Sequence, residues 1–377
     1  PLLIPDTLSG VNVNLSLQNG QVEFFPGTIT NTIGYNQNFL GPTIFMKRGQ
    51  EITLNVTNNL LETTTLHWHG LHVAPENDGG PHTTIEAGET WSPSFTVLDK
   101  AATYWYHPHL HEHTEEQVTR GAAGFIIARD EDEAQLQLPR TYGIDDFPIV
   151  IQSRAFDENK QLVWNTASDD AILCNGTLDA FLEVPAQIVR LRLLNGSTER
   201  VYNLGFQGNL NFQQIATDGG LLDAPVSLSR LRLAPGERAE ILVDLTTQQG
   251  QYINLMSFAS ELPNGIYGAT RPSIMPMGSI AGYNDNALNG NGVMFEGKVS
   301  TSLGLPGISV LGEIIHVTKM IEIARYFDVQ VLFKGLFTRR SIEMITAAKK
   351  EGLKVFSGGL FVVAFYAGLT AAKESAE

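Results

Sequence analysis

Short runs of alternating apolar and polar residues recur along roughly the first three-quarters of the chain. Glu51-Ile52-Thr53-Leu54-Asn55-Val56 and Ile188-Val189-Arg190-Leu191-Arg192-Leu193 are two of them. A period of two sends successive side chains to opposite faces of a strand, so each run predicts a strand with one face in a core. Asn-Gly, Pro-Gly and Gly-Gly pairs punctuate these runs as turns. Many short strands separated by turn chemistry predict β-sandwiches, a first over residues 1–140 and a second over 146–290, the latter with its strands between about residues 146 and 257. The charge run Arg129-Asp130-Glu131-Asp132-Glu133 is expected to begin the crossing between them. Residues 258–292, rich in Gly, Pro, Asn and Ser, read as loop or linker.

From Met294 the pattern changes. Residues 312–326 carry apolar side chains at helical spacing, 328–333 read as a buried strand, and 340–351 as an amphipathic helix ended by Gly352. Another strand opens over 354–356. The expected fold class is therefore mainly β, two β-sandwiches followed by a short α/β C-terminal segment over 291–377. Within it, residues 355–372 carry no charge over 18 positions, just reaching the length at which a membrane helix must be considered. Three glycines and two serine or threonine residues there favour a buried strand running into a helix or frayed end.

The length of 377 residues suffices for two or three domains with cores of their own. Forty acidic against 25 basic residues give a formal charge of −15, which disfavours nucleic acid and anionic membrane surfaces as partners. A small cation, a phenol or a metal ion suits that balance better. A single cysteine, Cys174, excludes an intrachain disulfide framework. The chain begins at Pro1 without an initiator methionine or a basic and apolar leader, so any signal peptide is expected to have been removed.

Histidine placement narrows the chemistry. Seven of the nine lie in His67-Trp68-His69-Gly70, at His72, or in Tyr106-His107-Pro108-His109-Leu110-His111-Glu112-His113. In an extended strand His67 and His69 share a face, as do His107, His109 and His111, so each run can aim two imidazoles at one point. Imidazoles without nearby cysteine or dense carboxylates argue for copper or zinc over calcium, magnesium or iron–sulfur centres. Asp78, in Asn77-Asp78-Gly79-Gly80, has turn chemistry as its plainest reading. His316, alone in the tail, reads as a surface or core residue rather than a ligand.

These runs resemble the multicopper oxidases, the family of laccases, cuprous oxidases and bilirubin oxidases. The similar residues include Gly41-Pro42-Thr43-Ile44, Asn55-Val56-Thr57-Asn58-Asn59-Leu60, both histidine runs, Asp78-Gly79-Gly80-Pro81 and Arg120-Gly121-Ala122-Ala123-Gly124-Phe125. They continue through Arg192-Leu193-Leu194-Asn195, Asp218-Gly219-Gly220 and Ala234-Pro235-Gly236-Glu237-Arg238, so the likeness spans about residues 5–290. The resemblance implies two cupredoxin-like Greek-key sandwiches and a copper cofactor. His67 would be a ligand at the type 2 position, and His69, His107 and His109 ligands at the type 3 positions. Asp78 would be the catalytic acid that relays protons to reduced oxygen. The partners implied are dioxygen and a small phenolic or metal-ion reductant, in a periplasmic or extracellular setting.

The same resemblance marks an incomplete ligand set. The family takes half of its trinuclear ligands, and the His-Cys-His run of its type 1 copper, from a third domain, and neither is found here. A blue copper site needs a thiolate and two imidazoles, so no type 1 site is expected, and Cys174 reads as a small buried apolar side chain. The first function expected is copper-dependent oxidation coupled to dioxygen reduction. The others are a non-turnover metal-binding scaffold and a copper-free structural module. A homo-oligomer stays open, although the second domain, without histidine, could not complete the cluster. His111 and His113 receive no copper role.

Residues 294–356 resemble instead an internal piece of a dihydroorotase, through Glu296-Gly297-Lys298-Val299-Ser300, Gly304-Leu305-Pro306-Gly307-Ile308 and Arg340-Ser341-Ile342-Glu343-Met344-Ile345. Leu332 and Gly335 stand where that family has metal-binding histidines, and so short a piece cannot close an eight-stranded barrel. No amidohydrolase activity is expected of this segment, and the join suggests a chimeric C-terminus.

Overall fold

The structure, a computed structural model, describes residues 1–166, 169–263, 266–269 and 291–300, and further on residues 321, 325, 331–334, 339–353 and 355–358. The chain divides into two compact units, 1–304 and 305–377.

In the first sandwich, one sheet runs in the order Thr7–Leu8, Thr43–Lys47, Gly124–Arg129, Ala102–His107 and His67–His69. The facing sheet is built on Asn12–Phe25, which pairs with Thr28–Tyr35 and with Glu51–Asn58. Alternation in Glu51–Asn58 holds as expected, with Ile52, Leu54 and Val56 all in the core beside Leu15, Trp68 and Tyr106.

The second sandwich pairs an eight-stranded sheet centred on Asp146–Phe156, Ile188–Asn195 and Arg238–Asp244 with a five-stranded one. Here the alternation of Ile188–Asn195 has a different outcome. Val189, Leu191 and Leu193 enter the core, yet Arg190 and Arg192 on the other face are each only 1% exposed. That face meets the first sandwich rather than water.

Between the sandwiches, Phe24, Phe39, Trp105 and Phe125 pack against Val150, Leu162, Leu173 and Leu194. Beside this apolar layer runs an ionic lattice. Arg192 donates to both carboxylate oxygens of Asp146, at 2.7 and 2.9 Å, and to Glu240 at 2.7 Å. Arg190 bonds Glu240 at 2.9 Å and Glu133 at 2.8 Å, while Thr103 of the first sandwich donates to Glu240 at 2.7 Å. Buried charges persist only when paired and hydrogen-bonded, which this lattice achieves across the seam. The run 129–133 does begin the crossing, through the short helix Glu131–Ala134 capped by Asp130, but Asp130 and Glu133 are buried.

One boundary needs correction. The expected α/β segment starts at 291, whereas Asn291–Val299 is a strand of the second sandwich, antiparallel to Tyr252–Phe258 and parallel to Phe181–Val184. Its buried Met294, Phe295 and Val299 complete that core. Alternating burial, with Val293, Glu296 and Lys298 turned outward or to the edge, is a strand pattern that the linker-like composition before it obscured.

In the second unit, Val331–Lys334 and Val355–Gly358 are parallel strands joined through the helix Arg339–Lys350, with Ile345, Ala348 and Val355 buried. This is the βα alternation expected there. Most of 312–326, all of 359–372, Gly335 and His316 lie outside the described residues. Among the described residues, no helix is long and apolar enough to cross a membrane.

Candidate metal centre

Two strands carry the centre. His67–His69 pairs antiparallel with Ala102–His107 in a register that sets His67 opposite His107, Trp68 opposite Tyr106, and His69 opposite Trp105. Strand alternation then sorts the side chains. Trp68, Tyr104 and Tyr106 enter the core of the first sandwich, leaving His67, His69, Trp105 and His107 on the other face.

The inward set locks the outward one. Trp68 is fully buried, donates Nε1–H to Asn77 O at 2.9 Å and stacks on Trp91. Tyr106 donates to Pro42 O at 2.7 Å, and a Cβ at Gly41 or Gly124 would fall 2.3 Å from its ring or hydroxyl. The motif glycines near residues 41 and 124 thus make room for the tyrosine next to His107.

Four imidazoles gather here. Ring centroids are 5.7 Å apart for His67 and His69, 5.6 Å for His67 and His107, 5.4 Å for His67 and His109, and 5.3 Å for His69 and His107. His69 Nδ1 stands 3.1 Å from His107 Nε2. Two imidazole nitrogens facing each other this closely are the donors that would hold a metal ion here. Among the described residues, no three such side chains converge on one point closely enough to hold an ion by themselves, so the pair is the tightest element.

On His107 and His67 the second ring nitrogen is anchored, as in metal-binding histidines. His107 Nδ1 meets Pro108 O at 2.7 Å, which leaves Nε2 as the lone pair facing His69. His67 Nδ1 meets Asp78 O at 3.1 Å and Asp78 Oδ2 at 3.2 Å. Asp78 therefore holds His67 directly, while remaining a third exposed. It ends the short helix Pro75–Asp78, whose cap Gly79 has φ +72°, and a Cβ at Gly79 would fall 1.7 Å from Leu66 O. Only glycine permits that approach beside His67.

Electrostatics keeps the pair neutral. Burial, then the nearby Arg238 guanidinium and the other imidazoles, lower His69 to about 4. Burial above all, with the three neighbouring imidazoles acting the same way against the Pro108 hydrogen bond, holds His107 well below the ordinary histidine range. Neutral imidazole is the form that ligates metal.

Expectation fails at His111. The strand ends at His107 because Pro108 has no N–H for the ladder, and Glu112, at φ +64°, turns the chain into the helix Thr114–Arg120. His109 still reaches the group, its backbone N–H held by Thr65 Oγ1 at 2.6 Å. His111 and His113 are exposed, nearest Glu112 and Glu116. His72 also faces out, its Nδ1 2.6 Å from the buried Asp99 carboxylate. Cys174 is fully buried, donates to Met294 O, and has its thiol pushed up to about 12 by burial.

The second sandwich contributes neighbours to which the residue patterns assign no role. Gly236, at φ +80°, faces the His69 ring so closely that a Cβ would lie 3.3 Å from Cε1, while from the first sandwich itself Trp105 stacks on His107 with centroids 4.0 Å apart. The signal for the first was the Ala234–Arg238 run, whose reach across the seam is a tertiary property.

Comparison with known proteins bears on the chain as a whole. Residues 16–133 and 149–270 each match a family model described as multicopper oxidase. The chain is 37% identical over 294 residues to the multicopper oxidase mco of Staphylococcus haemolyticus (strain JCSC1435), covering 74% of this chain and 65% of that one. It is also 37% identical over 254 residues to the cell division protein FtsP of Escherichia coli (strain K12), covering 65% and 54%. Among solved structures, the McoA multicopper oxidase of Aquifex aeolicus superposes with a TM-score of 0.69 at 31% identity, covering 90% of this chain and 72% of that one. The laccase-like CueO of Ochrobactrum sp. gives a TM-score of 0.68 at 31%, with 81% and 66% covered. The chain spans 54 to 65% of the length of the two curated relatives.

Proposed function

The chain belongs to the multicopper oxidase family, and from that premise we propose that His67, His69, His107 and His109 hold copper, His67 at the type 2 and the others at type 3 positions. The reaction they serve is oxidation of a phenolic or metal-ion reductant by dioxygen. What carries this reading is the pair of ring nitrogens of His69 and His107 facing each other at 3.1 Å. Copper bound there would pass electrons from the reductant to dioxygen. Asp78 orients His67 through Nδ1, so Nε2 is presented for binding, and its part-exposed carboxylate can deliver protons.

The described ligands are half of what that reaction uses in the family, and Cys174, buried without a histidine beside it, offers no electron-entry copper. We therefore propose that this chain alone binds one or two metal ions without turnover. Oxidase activity requires histidines from a third cupredoxin domain. A homo-oligomer of this chain would not supply them from the second sandwich. A periplasmic or extracellular setting fits this role.

A second reading, a copper-free structural module, is supported by the likeness to the FtsP of Escherichia coli, a relative named for cell division rather than oxidation, which matches at the same 37% identity as the first oxidase. Copper stoichiometry on the reconstituted full chain, with an optical spectrum and oxygen uptake on a simple phenol, separates them. One or two coppers without a blue thiolate band or turnover supports the scaffold. Three coppers with turnover makes it a self-sufficient oxidase, and none at all leaves the structural module.

A further inference from the structure

We infer that Arg238, from the second sandwich, is a positioning residue that clamps the two strands carrying His69 and His107, an inference that rests on the metal reading above. Arg238 is only 4% exposed. Its Nε donates to Thr103 O at 3.1 Å, in the strand that ends at His107. Its Nη2 donates to Asp218 O and its Nη1 to Gly236 O, each at 3.1 Å, and Asp218 Oδ1 lies 3.0 Å from Nη1. Asp218 Oδ1 also accepts the backbone N–H of Arg238 at 2.6 Å.

The guanidinium reaches the other histidine strand through a gap. A Cβ on Gly70, the residue after His69, would fall 2.6 Å from Nη2, so a glycine at φ +95° is what admits the arginine there. On the same turn as Arg238, Gly236 abuts the His69 ring. One turn of a sandwich without histidine thus hydrogen-bonds the strand that ends at His107 and packs closely against Gly70 and the His69 ring. Two donors held 3.1 Å apart need such support, because metal affinity depends on ligands fixed in place before the ion arrives. The planar fork of arginine spans these carbonyls in several directions, and an ammonium group cannot.

The test uses the full chain titrated with Co(II), whose ligand-field spectrum reports geometry independently of oxidase activity. Arg238→Gln is expected to weaken binding about 10- to 100-fold and alter the spectrum, with no rescue in Arg238→Lys. Asp218→Asn, at a half-exposed carboxylate, keeps the fold and is expected to weaken binding about three- to tenfold. Arg154→Gln serves as a control, since that buried seam arginine bonds Ser153 O, Val118 O and Gly196 O and neither histidine strand. Wild-type affinity and spectrum in both Arg238→Gln and Asp218→Asn would overturn the clamp, as would full rescue by lysine or an equal loss in Arg154→Gln. Should Arg238→Gln not fold, Asp218→Asn decides alone. No uptake by the unaltered chain would instead overturn the metal reading, and this inference with it.

Discussion

Nδ1 of His69 and Nε2 of His107 face each other at 3.1 Å across 38 residues of sequence. They sit diagonally across an antiparallel pair, His69 lying two residues along from His67, which directly opposes His107. Because the His107 lone pair is freed by its Nδ1 bond to Pro108 O, replacing either member should remove the tightest donor pair. His107→Gln and His69→Gln are each expected to lower Co(II) or Cu(II) affinity at least about tenfold while circular dichroism stays unchanged. Undiminished affinity in both variants, read by isothermal titration, would move the metal away from this pair.

Acid should loosen the metal-free protein. His69 is lowered to about 4 in the folded chain, against an ordinary 6.5. Between those values the unfolded chain carries the proton and the folded chain does not, so stability falls as pH falls through that window and is fully present above it. The urea midpoint of metal-free protein is expected to drop between about pH 7 and about pH 4.5, and to drop less in His69→Gln. An identical slope in the two proteins would show that His69 contributes nothing to it.

The seam lattice adds to this acid sensitivity. Burial alone would raise Glu240 and Asp146, but the charges and hydrogen bonds of Arg192 and Arg190 outweigh it and hold both carboxyls below the ordinary range. Their contribution is present above the unfolded carboxylate range and lost as pH falls through the lower folded values. Glu240→Gln leaves Arg190 and Arg192 short of a charge, and a cost of about 3–5 kcal/mol is expected in chemical denaturation. A change under about 1 kcal/mol would mean that water or Glu133 compensates for it.

Where the second sandwich closes can be read by shortening the chain. All four histidines and the Arg238 turn lie before Gly304, so a chain ending there is expected to keep its metal affinity and a cooperative unfolding transition. Ending it at residue 290 removes Asn291–Val299, which is paired on both edges, and with it the buried Met294, Phe295 and Val299. Losing three such side chains, at about 2–5 kcal/mol each, should abolish cooperative unfolding of that sandwich. Equal melting of the two shortened chains would contradict the pairing.

Much of the centre was legible in the residues alone. The period-two spacing of His67 and His69 settles their common face, because strand geometry is local. The same rule misjudged His111, since Pro108 and the turn at Glu112 are local breaks that alternation does not count. It also identified the apolar face of Ile188–Asn195 but not the fate of Arg190 and Arg192, which depends on what covers the other face.

The sequence by itself determined two strand-rich stretches, a change of pattern toward an α/β segment, and that each histidine run can aim two imidazoles at one point. Each of these follows from the order of neighbouring side chains along one strand or turn. Tertiary structure alone decided that Asp78 holds His67, that Arg238 and Gly236 reach over from the second sandwich, and that buried arginines and carboxylates join the two sandwiches. Those contacts link residues far apart in sequence, and their energies depend on desolvation and on distances that exist only once both sandwiches have packed.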